Sequence, residues 1–93
     1  MGLKFEWDGA KARQNIIKHG ISFENAATIF GDPLSLTIPD PLHSTNEDRF
    51  VTIGMTENDI LLVVVHTACE SAIRIISARE ATLRERRNYE KAP

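Results

Sequence analysis

One histidine and three arginines in this chain are placed where they could act on a phosphate: His66, Arg49, Arg74 and Arg79. An imidazole gives and takes a proton near neutral pH, because its ordinary pKa is about 6.5. A guanidinium stays charged and offers a planar fork of donors that fits phosphate oxygens. Together they suit attack of a ribose 2′-OH on the adjacent phosphorus. That step needs a proton acceptor, a proton donor and positive charge on the crowded oxygens. Fixed donors aimed at developing negative charge are often the largest catalytic contribution. The reaction needs no metal. His19, His43 and His66 lack a ligand spacing such as H-x-x-x-H, and Cys69 has no C-x-x-C partner, so neither metal nor redox work is assigned. With no glycine-rich phosphate loop, no cofactor is expected.

Each of these residues also has a plain structural explanation. A histidine at the end of an apolar strand commonly packs in a core. Arg74 between isoleucines can simply pair with a carboxylate, and Arg49 at a strand start can be a solvated charge.

The strands that must position these groups centre on Ile60 to Arg79. Ile60 to Val65 is apolar at every position, which predicts a strand buried on both faces and central in its sheet. Ala72 to Ala78 reads as its hairpin partner, across a turn near Cys69–Ser71. Register then decides the site. A two- or four-residue turn within Thr56–Asp59 puts Arg49 and His66 on one face. A three-residue turn at Cys69–Ser71 brings Arg74 to that face, and a four-residue turn brings Arg79 instead.

The remaining elements follow from local signals. Leu3 to Trp7 alternates as a short strand. Asp8 caps a helix running to about His19, with Gly20 suited to its end and a thin apolar stripe of Ala12, Ile16 and Ile17. Ser22 caps a second helix to about Phe30, burying Phe23, Ala26, Ala27 and Phe30. Leu34 to Ile38 and Arg49 to Met55 read as strands around a polar loop, Pro39 to Asp48, from which His43 could reach a site. Thr82-Leu83-Arg84-Glu85 is a capping box opening a terminal helix to about Lys91. Few apolar residues, chiefly Leu83 and Tyr89, are there to dock it. The order β-α-α-β-β-β-β-α, with tight turns in the second half, predicts an α+β fold with an antiparallel sheet, one domain over residues 1–93.

Charge is divided along the chain. Residues 1–60 carry 5 Lys and Arg against 9 Asp and Glu, whereas residues 61–93 carry 6 against 4. The basic end includes Arg84, Arg86 and Arg87, candidates for binding RNA backbone on an otherwise acidic molecule. One cysteine excludes an internal disulfide framework and suits a reducing cytoplasm. No apolar run is long enough for a membrane span and no secretory signal is visible.

The set KFEWD, KHGISFENAATIF, the PDP loop, RFVTIG, LLVVVHT and IRIISAREATLRERRNYE, in that order, resembles the BrnT toxins of bacterial type II toxin–antitoxin pairs. The resemblance runs nearly end to end. It implies a RelE-like ribonuclease fold, and a cytoplasmic endoribonuclease that inhibits growth without a metal. It also implies a BrnA-like antitoxin whose DNA-binding part lets the complex repress its own operon, so DNA is met only through that partner. A homodimer or a heterotetramer with the antitoxin is open on this reading. The matching segments carry His66, Arg74 and Arg79 as site residues; Arg49 joins them from register alone. The alternative is a catalytically weak interaction module that holds a DNA-binding partner for autoregulation. Expression without an antitoxin separates the two, because only a toxin arrests growth.

Overall fold

The computed structural model describes residues 2–40 and 48–91, so His43 and most of the Pro39–Asp48 loop lie outside the described residues. The elements are β1 (Phe5–Glu6), α1 (Gly9–His19), α2 (Phe23–Ala27), β2 (Leu36–Pro39), β3 (Arg49–Met55), β4 (Leu61–Cys69), β5 (Ala72–Glu80) and α3 (Leu83–Lys91). They build an α+β fold on one five-stranded sheet in the order β1-β5-β4-β3-β2. β4 is central, as its unbroken apolar run requires, and Leu61 to Val64 are all buried. The sheet is antiparallel except at its edge, where β1 pairs parallel to β5. β1 is shorter than the alternation at Leu3–Trp7 predicts, because only Phe5 and Glu6 find partners, opposite Ile73 and Arg74. No helix among the described residues is long and apolar enough to cross a membrane.

Local chemistry explains the helix ends. The Asp8 carboxylate accepts from the Lys11 N–H at 3.0 Å, and Gly20 closes α1 with a left-handed φ of 71°. The Ser22 hydroxyl accepts from the Asn25 N–H. α2 tightens after Ala27 into a 3-10 turn over Thr28–Gly31, which carries Ile29 fully into the core. Gly54 on β3 runs beneath that turn. A Cβ there would lie 3.1 Å from Cβ of Ile29 and of Ser35, so any larger residue would have to push the turn back by a few tenths of an ångström.

The core joins Ile21, Phe23, Ala26 and Ile29 to Leu62, Val64, Ile75 and Ala78 on one face of the sheet. Trp7 and Phe5 pack against it, the Trp7 ring edge-on to Phe23. The apolar stripe expected on α1 is corrected here. Ile16 and Ile17 point to solvent, Ile17 being 80% exposed, and the buried position is Asn15 at 5%. A polar side chain faces inward because β1 is too short to reach Ala78. The Asn15 amide donates to the Ala78 carbonyl at 2.8 Å and accepts from the Ala78 N–H at 3.0 Å, standing in for the missing strand. It also donates to the Ile21 carbonyl.

α3 docks more firmly than its few apolar residues suggest. Thr82 and Glu85 form the reciprocal capping box, and Glu85 also takes both terminal nitrogens of Arg79 at 2.8 Å each. The buried Tyr89 hydroxyl donates to the Asp32 carboxylate at 2.6 Å. Burial pushes the Asp32 carboxyl up, yet bonds from Tyr89 and from the Met55 and Leu34 N–H groups outweigh it and hold it low. The same bond raises the Tyr89 phenol to about 12.

Candidate functional site

The two hairpins set which side chains share a face, and both differ from the sequence expectation. The first closes with Thr56 N–H donating to the Ile60 carbonyl, leaving Glu57, Asn58 and Asp59 as the loop. The Thr56 hydroxyl accepts from the Asn58 and Ile60 N–H groups, and Asp59 takes a left-handed φ of 64°. This odd loop pairs Arg49 with Thr67 and Phe50 with His66. Arg49 and His66 therefore point to opposite faces.

The second hairpin turns on two residues, Glu70 and Ser71, with Glu70 at φ 55°. It pairs Thr67 with Arg74 and His66 with Ile75, which sends Arg74 to the far side from His66. The register then slips by one, because Val65 pairs with Ser77 and Ile76 is bulged out. The slip restores parity for Val63 and Arg79, so Arg79 also lies away from His66. Neither turn length considered from the sequence includes a bulge, and with it no arginine of the three shares a face with the histidine.

His66 sits on the core side, 7% exposed. Its ring meets Phe30 edge-on at 4.9 Å and stacks with Phe50 at 5.9 Å. Its Nε2 is 2.7 Å from the Thr52 hydroxyl, which is 2.7 Å from the Thr37 hydroxyl. The expected surface proton carrier is thus a packed core histidine. Burial lowers its pKa below 6.5. An unfolded chain therefore takes up this proton first. Stability should be full above pH 6.5 and fall below it, by up to about 1.4 kcal/mol per pH unit. Urea midpoints followed from pH 7.5 to 5 should show this slope, and His66→Gln should remove it.

The arginines occupy the opposite face. Arg49, Thr67, Arg74 and Glu6 form one row across β3, β4, β5 and β1. With strands about 4.8 Å apart, the Arg49 and Arg74 backbones are roughly 10 Å apart. Arg74 is exposed, and its guanidinium is 3.5 Å from the Glu6 carboxylate. Buried Thr67 donates to the Asp48 carbonyl at 2.7 Å, which ties the chain beside Arg49 to β4. Arg79, farther along the same face, is held by Glu85 through both terminal nitrogens and keeps its side chain partly exposed. Of the helical arginines, Arg84 and Arg87 are exposed and Arg86 is 3.8 Å from Glu90. Glu6 and Thr67 lie in the KFEWD and LLVVVHT segments, but nothing in the sequence singles either out as a site residue; only β1 pairing parallel to β5 brings Glu6 into the row.

The bonds from Arg79, with help from the Thr82 N–H, lower the Glu85 carboxyl to about 2 despite its partial burial. Its contribution to stability is present above pH 4.5 and is lost as pH falls toward 2. Acid titration of the unfolding midpoint should show that loss below the His66 window, and Glu85→Gln should flatten it. Among the described residues, no group of three or more His, Cys, Asp or Glu could hold a metal ion.

Comparison with curated proteins finds no match. Among solved structures, the Brucella abortus ribonuclease toxin BrnT matches with a TM-score of 0.67 and 28% identity, over 87% of this chain and 99% of that chain. The family model described as "Ribonuclease toxin, BrnT, of type II toxin-antitoxin system" matches residues 7–85. That family implies an antitoxin protein as partner. The chain, with its α+β fold and its arginine-bearing sheet face, belongs to the BrnT family of ribonuclease toxins of type II toxin–antitoxin systems.

Proposed function

We propose that this toxin cuts RNA on the face that carries Arg49 and Arg74, by attack of a ribose 2′-OH on the adjacent phosphorus without a metal. The observation that supports this reading is the single row Arg49–Thr67–Arg74–Glu6 across four strands. Arg49 and Arg74 hold the phosphate oxygens and stabilise their growing charge. Glu6, beside Arg74, replaces His66 as the proton acceptor for the 2′-OH. The 2′-oxygen bonds to phosphorus as its proton passes to Glu6, the bond to the 5′-oxygen breaks, and that oxygen takes a proton from water. The products are a 2′,3′-cyclic phosphate and a 5′-hydroxyl. In the cell this arrests growth until a BrnA-like antitoxin binds the toxin.

Purified toxin should cleave an oligoribonucleotide in excess EDTA and leave those ends, and a 2′-deoxy sugar at the cut should block it. Glu6→Gln should slow cleavage by roughly 10²-fold or more. Intact RNA, or products ending in a 3′-hydroxyl, would count against the reading. The second reading, an interaction module, draws on the Arg79–Glu85 pair, which neutralises one of the expected phosphate ligands. It predicts that expression without an antitoxin leaves growth unchanged.

A further inference from the structure

A groove runs along the free edge of β5, beneath α1. It exists because β1 ends at Glu6, opposite Arg74, and leaves β5 with no strand neighbour beyond that point on this side among the described residues. The bulge at Ile76 bows the strand there, and α1 crosses the gap on its Asn15 anchor. Two adjoining cavities of 170 and 320 Å³ follow this edge and share Lys11 and Ile76. The first is lined by Asp8, Lys11, Arg74, Ile75 and Ile76, the second chiefly by Lys11, Gln14, Lys18, His19 and Ser77. Lys11 and Lys18 lie two helical turns apart on one side of α1, about 10 Å along its axis. The nearby anions are committed. Asp8 accepts from the Lys11 N–H as the helix cap, and Glu6 faces Arg74.

We infer that this groove is a subsite for the sugar-phosphate backbone of RNA flanking the cleaved bond. The inference rests on the RNA reading above and extends it from the arginine row onto α1. The lining supports phosphate recognition: Lys11, Lys18 and Arg74 outnumber the one carboxylate, Asp8, and stand beside amide and hydroxyl groups over a floor that is largely apolar. Among the described residues its lining has no Phe, Tyr or Trp and a single imidazole, His19, so backbone contact rather than base stacking carries the binding. The groove meets the row at Arg74, so one strand can occupy both.

The test uses the purified full chain, freed of antitoxin, and a cleavage-resistant 2′-O-methyl oligonucleotide followed by fluorescence anisotropy across a salt series. Lys11→Gln/Lys18→Gln, with both substitutions at exposed positions, should bind on the order of tenfold more weakly at 0.1 M salt. Its plot of log affinity against log salt should be shallower by about 1.4, the loss of two single-strand phosphate contacts. Cleavage of a dinucleotide too short to reach the groove should match wild type. An unchanged slope in the variant, with wild type binding and cleaving RNA normally, overturns the subsite and leaves the nuclease reading standing. A variant that keeps its RNA slope but binds purified antitoxin more weakly also overturns it, and assigns the groove to the protein partner. A wild-type chain that neither binds nor cuts RNA removes both.

Discussion

Replacing Arg49 and Arg74 together with alanine is expected to slow RNA cleavage by roughly 10³-fold or more, and the Arg74→Ala change alone is expected to leave the melting temperature within a few degrees of wild type. The size follows from the role proposed for the two guanidiniums: removing a single preorganised donor from developing negative charge commonly costs 10²- to 10³-fold. The small effect of the Arg74 change on stability follows from where that residue sits; Arg49 is half-buried and its removal costs more. The Arg74–Glu6 pair is about half exposed, and such pairs contribute little to folding. Lysine at either position should recover part of the rate, because it restores a point charge without the planar fork. His66→Gln is the contrasting variant. It should lower stability near neutral pH and shift the pH dependence of unfolding, yet leave the pH dependence of cleavage unchanged. Activity within tenfold of wild type in the double arginine variant would remove this face from the reaction. Single-turnover rates with the toxin in excess, together with thermal melts, decide between these results.

Asn15→Leu is expected to be the most damaging single change to the fold, at about 3 kcal/mol, or a fall in melting temperature of roughly 12–24 °C. The new side chain is similar in size and more apolar, so burial alone would favour it. Three backbone groups decide the outcome. The Ala78 N–H, the Ala78 carbonyl and the Ile21 carbonyl would each lose a partner inside the protein. Asn15→Asp separates these contributions. A carboxylate can still accept from the Ala78 N–H but cannot donate to either carbonyl, so its loss should be large and should lessen at low pH, where the acid can donate one bond. A leucine variant melting within about 3 °C of wild type would mean that these groups find other partners.

Much of the scaffold was legible before any coordinates. Asp8, Gly20, Ser22 and the Thr82–Glu85 box mark helix ends through bonds between near neighbours, and each is found where its residue type requires. The unbroken apolar run of β4 fixed its central place, because only a strand covered on both faces tolerates it. The family, too, was readable in the order of short segments. Less legible was the end of α2, where helical spacing continues through Phe30 but the chain tightens after Ala27 to seat Ile29 against Gly54. The firm docking of α3 was also hidden, because it depends on Asp32 and Arg79, both distant along the chain from Tyr89 or outside its helix.

Which side chains share a face of the sheet was decided only by the tertiary structure. Facing alternates with every residue of a strand, so one residue more or less in a turn, or one bulge, exchanges the two faces. Glu57–Asp59 supplies the odd loop and Ile76 the bulge, and together they put His66 in the core and the arginines outside. Glu6 and Asn15 make the same point from the sheet's edge. What each does depends on how far β1 extends beside β5, and a two-residue strand is stabilised by its neighbours rather than by its own sequence. Local residue preferences therefore determined the elements and their order, while the balance of turns, bulge and strand length determined the chemistry those elements present.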